Sequence, residues 1–136
     1  MEPAWKANNC QIELFFEKNL PPIRADRYQI RQVIENLLDN AIHYTKENGK
    51  IEIKIKREKD FVYFEIKDNG VGIPQKDQKF IFQKFFRASN ILKYRTQGTG
   101  LGLFIAKSIV ERSRGKIGFK SQEGVGSTFW FKLPIK

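Results

Sequence analysis

With 136 residues, 40% of them hydrophobic and twelve of them Phe, the chain is most simply one domain with a real core, which excludes wholesale disorder. No apolar run approaches the ~18 residues of a membrane span, the amino terminus lacks a signal-peptide pattern, and one Cys with one His cannot build a disulfide framework or a zinc site. The formal charge of +10, from 25 basic and 15 acidic residues, favours an anionic partner, but the basic residues are scattered from Lys6 to Lys136 without forming an arm. These bounds point to a soluble, cytoplasmic chain that makes no membrane contact. A nucleic-acid binder would need a basic stripe with exposed aromatics, and the phase of the Phe residues puts most of them inside.

Residues 1–9 show no periodic pattern and read as a linker remnant ahead of a domain spanning 10–136. Gln11-Ile-Glu-Leu-Phe-Phe alternates enough for a strand, Pro21-Pro22 punctuates, and residues 23–25 could form a short second strand. Asp26 suits a helix N-cap, with Gln29 three residues on completing a capping-box pattern. The helix that follows should run to about Tyr44, with Ile30, Val33, Ile34, Leu37, Leu38, Ala41 and Ile42 as its core stripe. Asn36, Asn40 and His43 superimpose on a second stripe of the same helix. Two amides and an imidazole are poor helix formers, so the stripe is either a solvated face or part of a site.

Asn48-Gly49 signals a turn, and two strands follow. In residues 50–57, Ile51, Ile53 and Ile55 alternate with Glu52, Lys54 and Lys56; in 61–68, Val62, Phe64 and Ile66 share one face. Such clean alternation leaves one sheet face wet, which argues against a doubly wound parallel sheet and for a two-layer α/β sandwich. Asp68 continues the inward series, and a buried carboxylate without a donor is costly. The turn Asp68-Asn-Gly-Val-Gly-Ile-Pro74 then carries two glycines that permit close backbone approach.

Residues 76–86 contain a short helix rich in Phe, either core or a hydrophobic hinge beside a mobile segment. Residues 88–97 are polar and aperiodic, as a lid loop would be. Gly98-Thr-Gly-Leu-Gly102 then opens an apolar helix, where glycines and the helix dipole suit an anion. It is neither a P-loop nor a convincing dinucleotide fingerprint. Residues 116–121 and 127–133 close the chain as a hairpin, with Phe129, Phe131 and Leu133 in one phase and Ser127 continuing it inward.

Taken in order, Asn36-Leu-Leu-Asp-Asn40-Ala-Ile-His-Tyr, Asp68-Asn-Gly-Val-Gly72, Phe82-Gln-Lys-Phe-Phe-Arg87, Gly98-Thr-Gly-Leu-Gly102-Leu and Gly124-Val-Gly126-Ser-Thr-Phe resemble the five boxes of one family. These are the asparagine box, the phenylalanine box and the three glycine boxes of the catalytic, ATP-binding domain of two-component sensor histidine kinases. That domain shares the Bergerat ATP-binding fold with Hsp90, DNA gyrase and MutL. The Phe-rich box favours the kinase branch over those ATPases and over serine kinases of the anti-sigma type.

The resemblance implies a mixed five-stranded sheet with helices on one face, holding ATP and Mg²⁺ between the long helix and the lid. By position, Asn40 would be the metal ligand, with Asn36 supporting it one turn earlier, which suits the preference of Mg²⁺ for oxygen ligands. Tyr44 would lie against the adenine, Asp68 would accept from its amino group, and Gly70, Gly72 and Ile73 would line the base. Ser127 would supply a hydroxyl near the same pocket. Gly98, Thr99, Gly100, Leu101, Gly102 and Leu103 would form the triphosphate side.

Two departures matter. His43 stands where the family usually has Lys or Arg facing phosphate, and a neutral imidazole loses most of that charge at pH 7; Lys93 or Arg95 in the lid is expected to compensate. Gln97 replaces a common glycine, which is expected to stiffen the lid hinge. Family kinases transfer the γ-phosphoryl group to a histidine on a separate dimerisation domain, and from there it passes to a response regulator. His43 lies inside the nucleotide-site helix, so this chain is expected to bind ATP–Mg²⁺ without phosphorylating itself. The alternative from another class is a nucleotide-binding or docking module that has lost catalysis.

Overall fold

Alternation of apolar and polar residues, carried over five segments, becomes one mixed sheet. The structure, a computed structural model, describes residues 10–45, 48–86 and 101–136. In chain order its elements are β1 (Gln11–Phe16), α1 (Arg27–Tyr44), β2 (Lys50–Glu58), β3 (Phe61–Asp68), the short α2 (Gln75–Gln78), α3 (Gly102–Arg112), β4 (Lys116–Gln122) and β5 (Gly126–Pro134). The strands run in the order β1-β2-β3-β5-β4. Among the described strands β1 and β2 pair in parallel, which needs a long crossover, and the connection through α1 supplies it; the remaining neighbours are antiparallel.

Register shows why one face is apolar. Ile53 lies opposite Ile66, Phe64 opposite Phe131, and Phe119 opposite Phe129, so the inward phases of four strands coincide. The Phe64 and Phe131 rings stack at 4.5 Å, and those of Phe119 and Phe129 at 5.6 Å. Helix α1 lays Ile30, Val33, Leu37, Ala41 and Ile42 on this face, α3 adds Ala106, Ile109 and Val110, and the two helices pack against each other. Each fully buried side chain here, Phe129, Phe131 and Leu133 among them, contributes roughly 1.5–3 kcal/mol. The other face is polar, with Tyr63 and Trp130 stacked among its lysines; Trp130 lies over Gly118, where a Cβ would come within 2.5 Å of the indole.

Asp26 caps α1 as expected, its Oδ1 accepting from the N–H groups of Tyr28 at 2.8 Å and Gln29 at 3.2 Å. Two expectations change. Residues 23–25 do not form a strand: Ile23 makes one isolated bridge to Ile135, because Pro21 and Pro22 ahead of it have no N–H to donate to a ladder. The Phe-rich segment is helical only over Gln75–Gln78 and continues as turns, with Phe85 at φ 65° and 70% exposed. Its apolar residues divide accordingly. Ile81 is buried and Phe82 meets Phe119 edge-on at 5.9 Å, while Phe85 faces outward.

Candidate functional site

The polar stripe of α1 faces the start of α3. The Asn36 side chain reaches across, its Nδ2 donating to the carbonyl of Gly102 at 3.2 Å, and so ties the asparagine helix to the one opened by the second glycine box. One turn further along α1, Asn40 Nδ2 is buried with no hydrogen-bond partner among the described residues. Most buried polar atoms are paired, so this donor is an exception. His43 lies one further turn along and is half-buried.

A second cluster forms where β3 ends. Asp68 sits opposite Ser127 of β5 and is 3% exposed, as the inward phase of its strand requires. Its Oδ1 accepts from the backbone N–H groups of Gly70 at 2.9 Å and Ser127 at 3.3 Å, while its Oδ2 is buried and has no partner among the described residues. Burial in this apolar setting pushes the carboxyl up from its ordinary 3.8 to about 6, against the opposing pull of the two N–H donors. Asp68 therefore presents one saturated oxygen and one open one.

The turn after Asp68 is riveted to α1. Tyr44, at the last turn of α1, accepts at its carbonyl the N–H of Val71 at 2.9 Å. A Cβ on Gly70 would lie 2.0 Å from that same carbonyl oxygen. Gly72 has φ +68°, and a Cβ there would lie 2.1 Å from the carbonyl oxygen of Gln122. Glycine is required at both positions by the protein's own main chain.

Ser121 and Gln78 belong to this wall and were not singled out from sequence. Ser121 Oγ accepts the N–H of Ile73 at 2.8 Å and lies 2.7 Å from Ser127 Oγ and 3.2 Å from the Gly126 carbonyl. Gln78 Nε2 donates to the carbonyls of Ile73 and Ser121, both at 3.0 Å. For Ser121 a signal existed, since it is a polar residue ending an inward row after Ile117 and Phe119, as Asp68 and Ser127 end theirs. Gln78 offered none.

The expected site residues thus form two joined groups: Asn36, Asn40 and Gly102 between α1 and α3, and Tyr44, Asp68, Gly70, Gly72, Ile73 and Ser127 around the end of β3. Leu101 and Leu103 flank Gly102 at the start of α3, half-buried. Lys93, Arg95, Gly98, Thr99 and Gly100, with the rest of the lid, lie outside the described residues, as does the 1–9 segment. A shallow depression on the outer side of α3, bordered by Phe104, Ile105, Ser108, Glu111 and Arg112, is a separate feature.

The two-layer sandwich thus holds, among the described residues, a carboxylate oxygen without a donor at a strand end and an amide nitrogen without an acceptor on the facing helix. Residues 25–136 match the family model described as histidine kinase-, DNA gyrase B-, and HSP90-like ATPase. Sensor histidine kinase WalK of Bacillus subtilis is 39% identical over 127 residues, covering 89% of this chain and 21% of that protein. The solved catalytic domain of histidine kinase ThkA is 35% identical with a TM-score of 0.81, covering 96% of this chain and 82% of that one. Full-length ShkA in complex with AMPPNP is 28% identical with a TM-score of 0.81, covering 98% of this chain and 27% of that one. The chain belongs to this ATPase family and, within it, to the catalytic domains of sensor histidine kinases. It spans between 14% and 36% of the length of curated relatives such as these.

Proposed function

We propose that the chain, as one domain over residues 10–136, binds ATP with Mg²⁺ and donates the γ-phosphoryl group to a histidine on the dimerisation domain of the same kinase. The observation that carries this reading is Asp68 Oδ2, a buried acceptor with no donor among the described residues. Ionised and unpaired, it destabilises the empty domain, and an exocyclic amino group at that point would supply the missing hydrogen bond. Such a group is what adenine offers. The AMPPNP of the ShkA structure supports the same choice of ligand.

On the phosphate side, a helix N-terminus such as that of α3 has no intrahelical acceptors for its first N–H groups, and the helix dipole adds partial positive charge. The net charge of +10 draws a polyphosphate toward the chain from a distance. Among the described residues no three His, Cys, Asp or Glu side chains gather as a metal site. Any Mg²⁺ here would rest on few protein oxygens, which fits amides plus phosphate and water. Asn36 Nδ2 is committed to Gly102, which leaves its amide oxygen for a metal, and Asn40 would offer its own amide oxygen one turn further on. Bound Mg²⁺ would neutralise phosphate charge and help hold the triphosphate in line.

In the transfer itself, a ring nitrogen of the acceptor histidine forms a bond to the γ-phosphorus as the bond to the β,γ-bridging oxygen breaks, and ADP leaves. The acceptor lies outside this sequence, whose one histidine, His43, is built into α1. The phosphorylated histidine would then serve a response regulator. No helix among the described residues is long and apolar enough to cross a membrane; we assign the domain to the cytoplasm, where ATP is available. Calorimetric titration with a non-hydrolysable ATP analogue tests the reading. Saturable binding that tightens with Mg²⁺ is expected, and no heat change in either condition would refute it.

A further inference from the structure

The wall around Asp68 contains a hydroxyl pair whose hydrogen positions follow from counting. Ser121 Oγ has one hydrogen and two lone pairs. Three polar atoms surround it: the N–H of Ile73 at 2.8 Å, Ser127 Oγ at 2.7 Å and the Gly126 carbonyl oxygen at 3.2 Å. The Ile73 N–H can only donate and the carbonyl can only accept. All three contacts are satisfied together in one arrangement alone: Ser121 accepts from Ile73, donates to Gly126, and accepts from Ser127.

The reverse arrangement, with Ser121 donating to Ser127, leaves the Gly126 contact without a hydrogen. It also leaves the Ser127 hydrogen with no acceptor, since its hydroxyl has no other hydrogen-bond partner among the described residues. Ser127 is 3% exposed, and an unpaired hydroxyl hydrogen in such a place is costly. Its hydrogen is therefore turned toward Ser121, and only lone pairs remain for a ligand. Asp68, opposite Ser127 in the register, holds the other acceptor: its Oδ2 takes no hydrogen bond from any described residue, the Ser127 hydroxyl included.

We propose that Ser121 is a positioning residue that fixes the Ser127 hydroxyl as a hydrogen-bond acceptor, so that the wall offers two acceptors and selects an amino-bearing purine over one with a keto oxygen. This rests on the nucleotide reading given above and deepens it. Ser121 would not touch the base; it would act by holding a proton away from it. Gln78, which donates to the Ser121 carbonyl, keeps β4 and the turn at Ile73 in the relation that makes the three contacts possible.

The test compares ATP with inosine triphosphate, which carries a keto oxygen where adenine has its amino group, by titration against the wild-type domain, Ser121→Ala, Ser121→Thr and Ser127→Ala. In Ser121→Ala the Ser127 hydroxyl is free to rotate and donate to the keto oxygen. The ATP-to-inosine affinity ratio should then fall by about tenfold, the worth of one hydrogen bond. Ser121→Thr, which keeps the hydroxyl, should restore the ratio, and in a Ser127→Ala background Ser121→Ala should leave it unmoved. If Ser121→Ala weakens both nucleotides equally, or shifts the ratio just as much without Ser127, Ser121 is only a brace for Ile73 and the proposal is overturned. Failure of the wild-type chain to bind either nucleotide would instead overturn the functional reading beneath it.

Discussion

Replacing Asp68 with asparagine removes a charge from the interior while keeping an oxygen for the N–H groups of Gly70 and Ser127. In the unfolded chain the carboxyl ionises at its ordinary 3.8; in the folded chain burial pushes that up to about 6. Between those values the folded chain holds more protons than the unfolded one, so stability is lost as pH rises through the window. For one group with those two ionisation points, the cost of the charge is about 1 kcal/mol at pH 4.5 and about 3 kcal/mol at pH 7.5. The variant escapes this cost. Whatever pH-independent penalty its buried amide brings, its stability relative to wild type should improve by about 2 kcal/mol between those two pH values. Urea denaturation followed by tryptophan fluorescence at pH 4.5, 6 and 7.5 measures the difference. Stability curves that stay parallel across the three pH values would show that the Asp68 charge is not buried in the way argued. At neutral pH the same variant should bind an ATP analogue more weakly, because a donor would then face the amino group.

Two further substitutions test the frame of the site. Gly70→Ala places a Cβ 2.0 Å from the Tyr44 carbonyl oxygen, with main chain on both sides of the clash, so a loss of at least ~3 kcal/mol in thermal or urea unfolding is expected; wild-type stability would refute the close approach. Asn36→Ala removes the bond to the Gly102 carbonyl and should cost about 1 kcal/mol of stability, with the gain in nucleotide affinity on adding Mg²⁺ reduced as well. Unfolding and titration data that match wild type in both respects would leave Asn36 as a surface amide.

Much of this arrangement was legible because its causes are local. The α1 stripe from Ile30 to Ile42 and the alternation from Val62 to Asp68 need only the periods of a helix and a strand, and the Asp26 cap needs only its own first turn. Asp68 could be placed inside from phase alone. The rest depends on partners far away in sequence. Asn36 meets Gly102 across 66 positions, and Ile73 meets Ser121 across 48. No period connects them. The failed strand at residues 23–25 shows the same limit, since an alternating tripeptide becomes a strand only if its neighbours leave donors for a ladder. The two glycines of the Asp68 turn were expected to make room for a base; the structure gives each a contact with the protein's own main chain.

Those glycine contacts make the turn a ruler. Gly70 is pressed on the end of α1 and Gly72 on the Gln122 carbonyl at the β4–β5 hairpin, two anchors in different elements separated by Val71. A residue inserted between them could satisfy one anchor only by lifting the other. The turn at Lys59 and Asp60, joining β2 to β3 on the surface, is held to a distant element at one point, where the Asp60 carbonyl accepts the N–H of Ile135 at 2.9 Å. In this chain the Gly-x-Gly spacing of the first turn is fixed by its two contacts, for reasons of carpentry. A motif used to recognise a nucleotide site is, in these two letters, the imprint of how three pieces of backbone are joined.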